Sequence, residues 1–325
     1  MPGFTTHYIF GMKAYNDMPF TPLKHTIAKY RWLYQLGLQG PDMFFYNIPI
    51  LRHRDYRNVG SYMHEHKVNA FFECCLRRIG TIRSRQQQEE AISYLAGFIN
   101  HYIADSICHP YVYGRIGYPV DAPTSMHHGM HAHLENELDA ILLWKYKKKK
   151  PSEFNQTATI CLNGQEIQFI SHFLASCINE TYYPITYRNN FQVTPAMMHR
   201  SIWALRFGCR TLSDKNGKKK FGIAQVESIF VNHPVASAKM VTDSVTDYRS
   251  SCNLNHEAWG NPWDPTRVST ASFVDLFHET LDKCSRVYAL LNSAVTDNVP
   301  LDKQDLSPLL TELGNESYHS GLPVD

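Results

Sequence analysis

Three residues in the stretch FINHYIADSICHP carry the densest chemistry of the chain: His101, Asp105 and His109, at i, i+4 and i+8. On a helix, four residues rise about 6 Å and turn about 40° past a full circle. The three side chains therefore share one face, with the carboxylate between two imidazoles. Imidazole nitrogen together with carboxylate oxygen suits zinc and similar borderline cations. Asp105 is placed to bridge two cations, each held also by a neighbouring histidine.

The segment MHAHLENELD repeats the spacing twice, as His131 with Glu135 and as His133 with Glu137. Residues two apart lie on nearly opposite sides of a helix, so both pairs cannot serve one site. Leu134, Leu138, Ile141 and Leu142 mark the buried stripe, and His131 and Glu135 lie on it, with Asp139 at its edge. His109, His131 and Glu135 would close a second metal set from two helices. The spacing predicts a solvent-facing ion pair for His133 and Glu137, and leaves His127 and His128 as spare histidines at the helix start. Six of the seventeen histidines fall within residues 101–133, and such clustering favours metal binding over scattered surface polarity. Two earlier segments offer further donors: Asp42 after the Gly-Pro turn of LGLQGPDMFFY, and His64 and His66 in GSYMHEHK. Asp42 reads equally as a helix N-cap or as a ligand. His64 and His66, taken alone, read as surface residues.

Helices must position these donors. Residues 22–38 (proline just inside the start), 60–79, 86–109 (ended by Pro110) and 125–146 have apolar residues at helical spacing. The run KKKK at 147–150 reads as a solvated helix end or linker. TICLNGQEIQ (159–168) reads as a small hairpin around Asn163-Gly164, and residues 169–182, 195–212, 234–250 and 269–294 as helices. HEAWGNPWDP (256–265) reads as a loop, and the stretch from about 298 as a short helix with frayed ends. The expectation is an all-α fold, a helical bundle with its metal cluster in a cleft. A single domain would span 1–296, with a metal-site half at 1–146, additional helices at 151–296, and a tail at 297–325.

The 325 residues carry a net charge of +2, which argues for neither nucleic acid nor an anionic membrane as an obligate partner. No apolar run reaches the roughly eighteen residues of a membrane span. The start has no basic region, and its apolar stretch is broken by His7, Lys13 and Asp17, so no secretory signal is expected. The eight cysteines form no C-x-x-C pair. Free thiols in a reducing cytoplasm are the simpler expectation.

The ordered series GPD, GS-x-MH, HYIADSICHP and H-x-x-x-E-x-x-x-D resembles the zinc-dependent phospholipase C family, itself similar to the single-strand-specific zinc nucleases. The resemblance runs over residues 2–145, and it implies three zinc ions. Carried onto this chain, the first is held by Asp42, His64, His101 and Asp105, and the second by His109, His131 and Glu135. The third takes an early histidine, the bridging aspartate, and the amine and carbonyl of the mature chain's first residue. His7 and Asp105 supply two of these. Family members usually expose that terminus by secretory processing and begin with tryptophan; here Pro2 follows Met1. Removal of Met1 would give Pro2 a free amine to complete the site.

The implied activity is phosphodiester cleavage by metal-activated water, with Asp42 as base or water orienter and no protein nucleophile. A phospholipid or a small phosphodiester is the expected substrate. Phe4, Tyr8, Phe44, Phe45, Tyr46, Tyr62, Tyr111 and Tyr113 lie near the donors in sequence and could surround a headgroup or stack a base, unless they are core. Two alternatives are a zinc phosphodiesterase acting on nucleotides or single-stranded nucleic acid, and a non-catalytic helical metal-binding protein.

Overall fold

The longest helix is the spine on which the other elements assemble. The computed structural model describes residues 3–46, 59–182, 192–212, 214, 218–230, 237, 240–243, 245 and 247–325. Phe4–Asp17 forms α1, Pro22–Lys29 α2, Arg31–Gly37 α3, Val59–Glu65 α4, Val68–Thr81 α5, and Arg85–Arg115 α6. Ser84 caps α6 by accepting from the Gln87 amide. Almost every residue of α6 from Glu90 to Val112 is buried, as expected of a helix packed on all sides. The helix continues through Pro110, where an end was expected. Proline removes the bond to the Ser106 carbonyl, a loss of roughly 3 kcal/mol, but buried residues on either side hold both turns in register.

The expected helix over 22–38 is two. Tyr30 leaves helical geometry at φ −114°, ψ 41°, and its carbonyl accepts from Ser93 Oγ at 3.0 Å. That break lets α3 cross α6 at backbone contact. A Cβ on Gly37 would lie 2.1 Å from the Tyr94 carbonyl oxygen, and one on Gly97 2.1 Å from that of Tyr34. The crossing delivers the next segment, a 3-10 turn over Gly40–Tyr46, onto the middle of α6. The run 60–79 is also divided. Lys67 adopts a left-handed φ of 50°, so α4 can present His64 inward while α5 buries Phe71, Phe72, Cys75 and Leu76.

Ser125–Lys147 forms α7 and Gly164–Thr181 α8. The hairpin expected at 159–168 is instead a helix start. Asn163 Oδ1 accepts from the Glu166 amide at 2.9 Å, and the Glu166 carboxylate accepts from the Asn163 amide at 2.8 Å. An Asn-Gly followed by a glutamate is here a capping box rather than a turn. Pro195–Thr211 is α9 and Lys218–Phe230 α10, a helix the sequence reading missed. Of the helix expected at 234–250, the described residues contain only the single turn α11, Tyr248–Ser251.

The expected loop 256–265 contributes a strand pair, β1 (Trp259–Asn261) against β2 (Asp264–Ser269), antiparallel with Trp259 opposite Ser269. Trp259 is buried edge-on against Tyr111 and donates Nε1–H to the Ala271 carbonyl. Phe273–Thr296 is α12 and Ser307–Leu313 α13. The fold is all-α apart from this one sheet among the described residues. The frayed end expected after 298 is packed. Leu301, Leu306, Leu309, Leu313 and Tyr318 are buried in the main core, and Ser317 and Val324 donate backbone bonds to Leu322 and Asn315.

Candidate metal centre

Helix α6 presents His101, Asp105 and His109 from buried positions along one face. The 3-10 turn brings Asp42 to them and α4 brings His64. One donor atom from each of Asp42, His64, His101 and Asp105 lies within 4.8 Å of the others, and all four residues are buried. The approach of the turn requires Gly40, whose φ is +45° and whose Cβ, if present, would lie 2.3 Å from His101 Cδ2. Asp42 therefore belongs to the cluster and not to a helix cap. His66 is half-buried and lies tilted against Tyr62, outside it.

The two oxygens of Asp105 face different imidazoles. Oδ2 lies 3.1 Å from His101 Nε2 and 3.7 Å from His64 Nε2, while Oδ1 lies 3.1 Å from His7 Nε2. Burial by itself would raise this carboxyl, but His101 and His7 hold it well below the ordinary range. His64 is desolvated too, yet Asp105 and Asp42 raise it to about 9.

Three of the imidazoles are oriented from behind by a backbone carbonyl. Nδ1 of His101 donates to Leu38 (3.1 Å), that of His64 to Gly60 (2.6 Å), and that of His109 to Tyr318 (2.7 Å). A carbonyl can only accept, so the proton of a neutral ring sits on Nδ1 and the Nε2 lone pair points into the cluster. These three Nε2 atoms, both Asp105 oxygens and Asp42 Oδ1 are buried without a hydrogen-bond partner. Unsatisfied buried acceptors gathered in two neighbouring sets, with these imidazoles steadied by outer bonds, are what cations would satisfy. The residues present fit zinc.

His109, His131 and Glu135 form a second set, again with donor atoms within 4.8 Å. His131 Nε2 is 2.6 Å and His109 Nε2 3.6 Å from Glu135 Oε1. Burial keeps His131 well below its ordinary value and pushes Glu135 up to about 7. The neighbouring pair departs from expectation in one half. His133 is exposed (51%), but Glu137 is buried and accepts from Ser251 Oγ. Glu137 ties α7 to α11 rather than facing solvent. His133→Ala should leave zinc content and stability within about 0.5 kcal/mol of wild type; a zinc loss comparable to that of His131→Ala would put the wrong stripe inside.

His7 reaches the cluster because α1 is capped from far along the chain. The Asp139 carboxylate accepts from the Thr5 amide (3.1 Å) and the Thr6 amide (2.7 Å). Gln39 Nε2 donates to the Phe4 carbonyl, and the His7 ring stacks on His101 at 4.0 Å. Pro2 lies outside the described residues. Burial pushes the Asp139 carboxyl up to about 6, so the folded chain holds that proton more tightly than the unfolded one. Its contribution to stability is full below about pH 4 and is lost as pH rises through about 6. Asp139→Asn cannot ionise. In urea denaturation of metal-free protein it should gain on wild type between about pH 4 and 6, by up to about 3 kcal/mol. A difference that stays flat or shrinks over that range would refute the assignment.

The family model of zinc-dependent phospholipase C matches residues 6–186, more than half of the chain. The chain belongs to this family. The matched range takes in His7 and both donor sets, and runs beyond the motif-bearing first 146 residues through α8. The zinc-dependent phospholipase C family and the clustered donors together support a zinc-dependent hydrolase. No curated protein and no solved structure matches the chain.

Beyond the range matched to zinc-dependent phospholipase C, the structure adds Tyr318, His319 and Trp263, which carried no sequence signal as site residues. The Tyr318 amide donates to the His64 carbonyl while its own carbonyl accepts from His109. His319 stacks on His64 at 4.9 Å, with Nδ1 3.5 Å from Glu65. Tyr113 lies 4.4 Å from His131 and edge-on to Trp263, which stacks with Tyr118. Of the aromatics singled out from sequence, Tyr113 and Phe45 reach donor rings. Phe4, Phe44 and Tyr111 are core, and Tyr8 packs on Phe154, Tyr62 on Tyr182, and Tyr46 by Gly208.

Proposed function

We propose that this chain is a zinc-dependent phosphodiester hydrolase of phospholipase C type, cleaving a phospholipid or a related small phosphate ester with water. The observation that carries the reading is Asp105, whose two oxygens serve separate imidazole groups within one buried cluster. Asp42, His64, His101 and Asp105 would hold one ion, and His109, His131 and Glu135 a second. His7 and Asp105, with Pro2, would hold a third. Bound zinc ions supply water activation near neutral pH and charge neutralisation for a phosphoryl group.

The protein's own part is positional and electrostatic. Asp42, at the rim of the first set, orients the attacking water and takes its proton. Asp105 stays ionised inside the protein and so brings negative charge where cations gather. The backbone carbonyls of Leu38, Gly60 and Tyr318 keep the imidazoles from turning. Tyr113 and Trp263 form an aromatic wall beside the second set, against which the substrate lies.

A cytoplasmic setting fits the eight free cysteines. Among the described residues no helix is long and apolar enough to cross a membrane. The deciding measurement is chelator-sensitive turnover by zinc-loaded protein of phosphatidylcholine, a soluble bis-aryl phosphodiester and single-stranded DNA. Hydrolysis of the first two is expected. Preference for DNA would favour the nuclease alternative, and tightly held zinc with no turnover would leave a non-catalytic metal protein.

A further inference from the structure

One surface helix exposes a face that water disfavours. α9 buries Met198, Ile202, Leu205 and Cys209 on its inner side. On the outer side Arg200, Trp203, Phe207 and Arg210 follow one another at spacings of three, four and three, and all are exposed. Trp203 is 62% and Phe207 53% exposed. Their rings stack on each other, with centroids 5.3 Å apart and planes 10° from parallel. The contact hides one face of each ring and leaves the other in solvent.

Along α9 itself the charge has one sign. From Gln192 to Leu212 the chain has no aspartate or glutamate, while Arg200, Arg206 and Arg210 are cationic. Paired aromatics with an arginine about one turn to either side match the layering of a lipid surface. The amphipathic indole of Trp203 favours the headgroup boundary, the apolar ring of Phe207 its acyl side, and guanidinium groups reach phosphates just above. A protein partner would need acidic groups and an apolar pocket in one place; an anionic bilayer supplies both everywhere.

We propose that the outer ridge of α9 docks the protein on an anionic lipid surface, with Trp203 and Phe207 entering the headgroup region and Arg200 and Arg210 on phosphates. α9 also packs against the 3-10 turn that carries Asp42, so closely that a Cβ on Gly208 would lie 2.3 Å from the Tyr46 ring. Docking therefore brings a bilayer within one element of the candidate metal centre. The purpose of docking rests on the hydrolase reading; the contact itself rests on α9 alone.

Co-sedimentation of the zinc-loaded full chain with vesicles of phosphatidylcholine, with and without phosphatidylserine, tests this. Wild type should partition onto the phosphatidylserine vesicles, with a salt-sensitive affinity and a blue shift of tryptophan emission that Trp203→Phe diminishes. The Trp203→Ala, Phe207→Ala double variant should bind at least about tenfold more weakly. Arg200→Glu with Arg210→Glu should abolish the preference for phosphatidylserine. Circular dichroism and zinc content should match wild type throughout, as should turnover of a soluble phosphodiester. Wild type that ignores both vesicle types, or variants that bind as well as wild type, would overturn the proposal. So would a dimer that the double aromatic variant dissociates, since the ridge would then belong to a second copy. Vesicle binding without turnover of any substrate would sustain the docking and sink the hydrolase reading, and turnover without binding would do the reverse.

Discussion

Asp105→Asn is expected to lose zinc and turnover together. The substitution preserves shape but removes the charge that His101, His7 and His64 surround. Asparagine also places an amide nitrogen, which cannot ligate, where one carboxylate oxygen stood. Because the two oxygens face different imidazoles, a single change would weaken the first set and the proposed His7 site at once. Disturbing an outer-shell partner of a metal ligand typically costs ten- to about a hundredfold, so loss of a shared inner donor should exceed about a hundredfold in kcat/KM. Zinc per chain, read by mass spectrometry, should fall by at least one ion. In metal-free protein the same change removes one partner of a buried ionic cluster, at a cost of about 3–5 kcal/mol. A variant with its full zinc complement and near wild-type turnover would show that Asp105 is not shared.

The second large effect is expected from Tyr318, far from every recognisable motif. Its ring is buried against His64 (4.8 Å), Tyr102 (4.9 Å) and His101 (5.9 Å). Its backbone bonds both His64 and the ring of His109. Tyr318→Ala should lower stability by about 3–5 kcal/mol, as for other large-to-small changes at buried aromatics. The cavity also frees the segment that orients two histidines, so zinc affinity should fall by about ten- to a hundredfold. Urea denaturation gives the first quantity, and competition with a chromophoric chelator the second. Lower stability with unchanged zinc affinity would make this segment a cover over the core and nothing more.

The candidate donors were legible because helical spacing is a local property. His101, Asp105 and His109 needed only the pitch of one helix, and the apolar stripe of α7 selected His131 and Glu135 over His133 without reference to the rest of the chain. The same reasoning erred on Glu137, whose partner Ser251 comes from a distant element. The elements are less evenly legible. Pro110 reads locally as a stop, because the hydrogen bond it removes is a local matter and the packing that carries α6 through it is not. Asn163-Gly164 reads locally as a hairpin turn, but the pairing of Asn163 with Glu166 makes it a helix start. The strand pair at 259–269 and the packed segment after 298 depend on contacts with α6 and α4 that no local pattern announces.

By itself the amino-acid sequence determined which residues can ligate and which of them share a helix face, since rise and twist per residue are the same in every α-helix. Only the tertiary structure decided how those faces meet and what holds each imidazole in place. The carbonyls of Leu38 and Tyr318 lie 63 and 209 residues from the histidines they orient. Asp139 caps α1 from 133 residues away and so delivers His7 to Asp105. Backbone groups are chemically alike at every position, so nothing in the side chains can mark which carbonyl will stand behind a ligand. That choice is made when the helices pack.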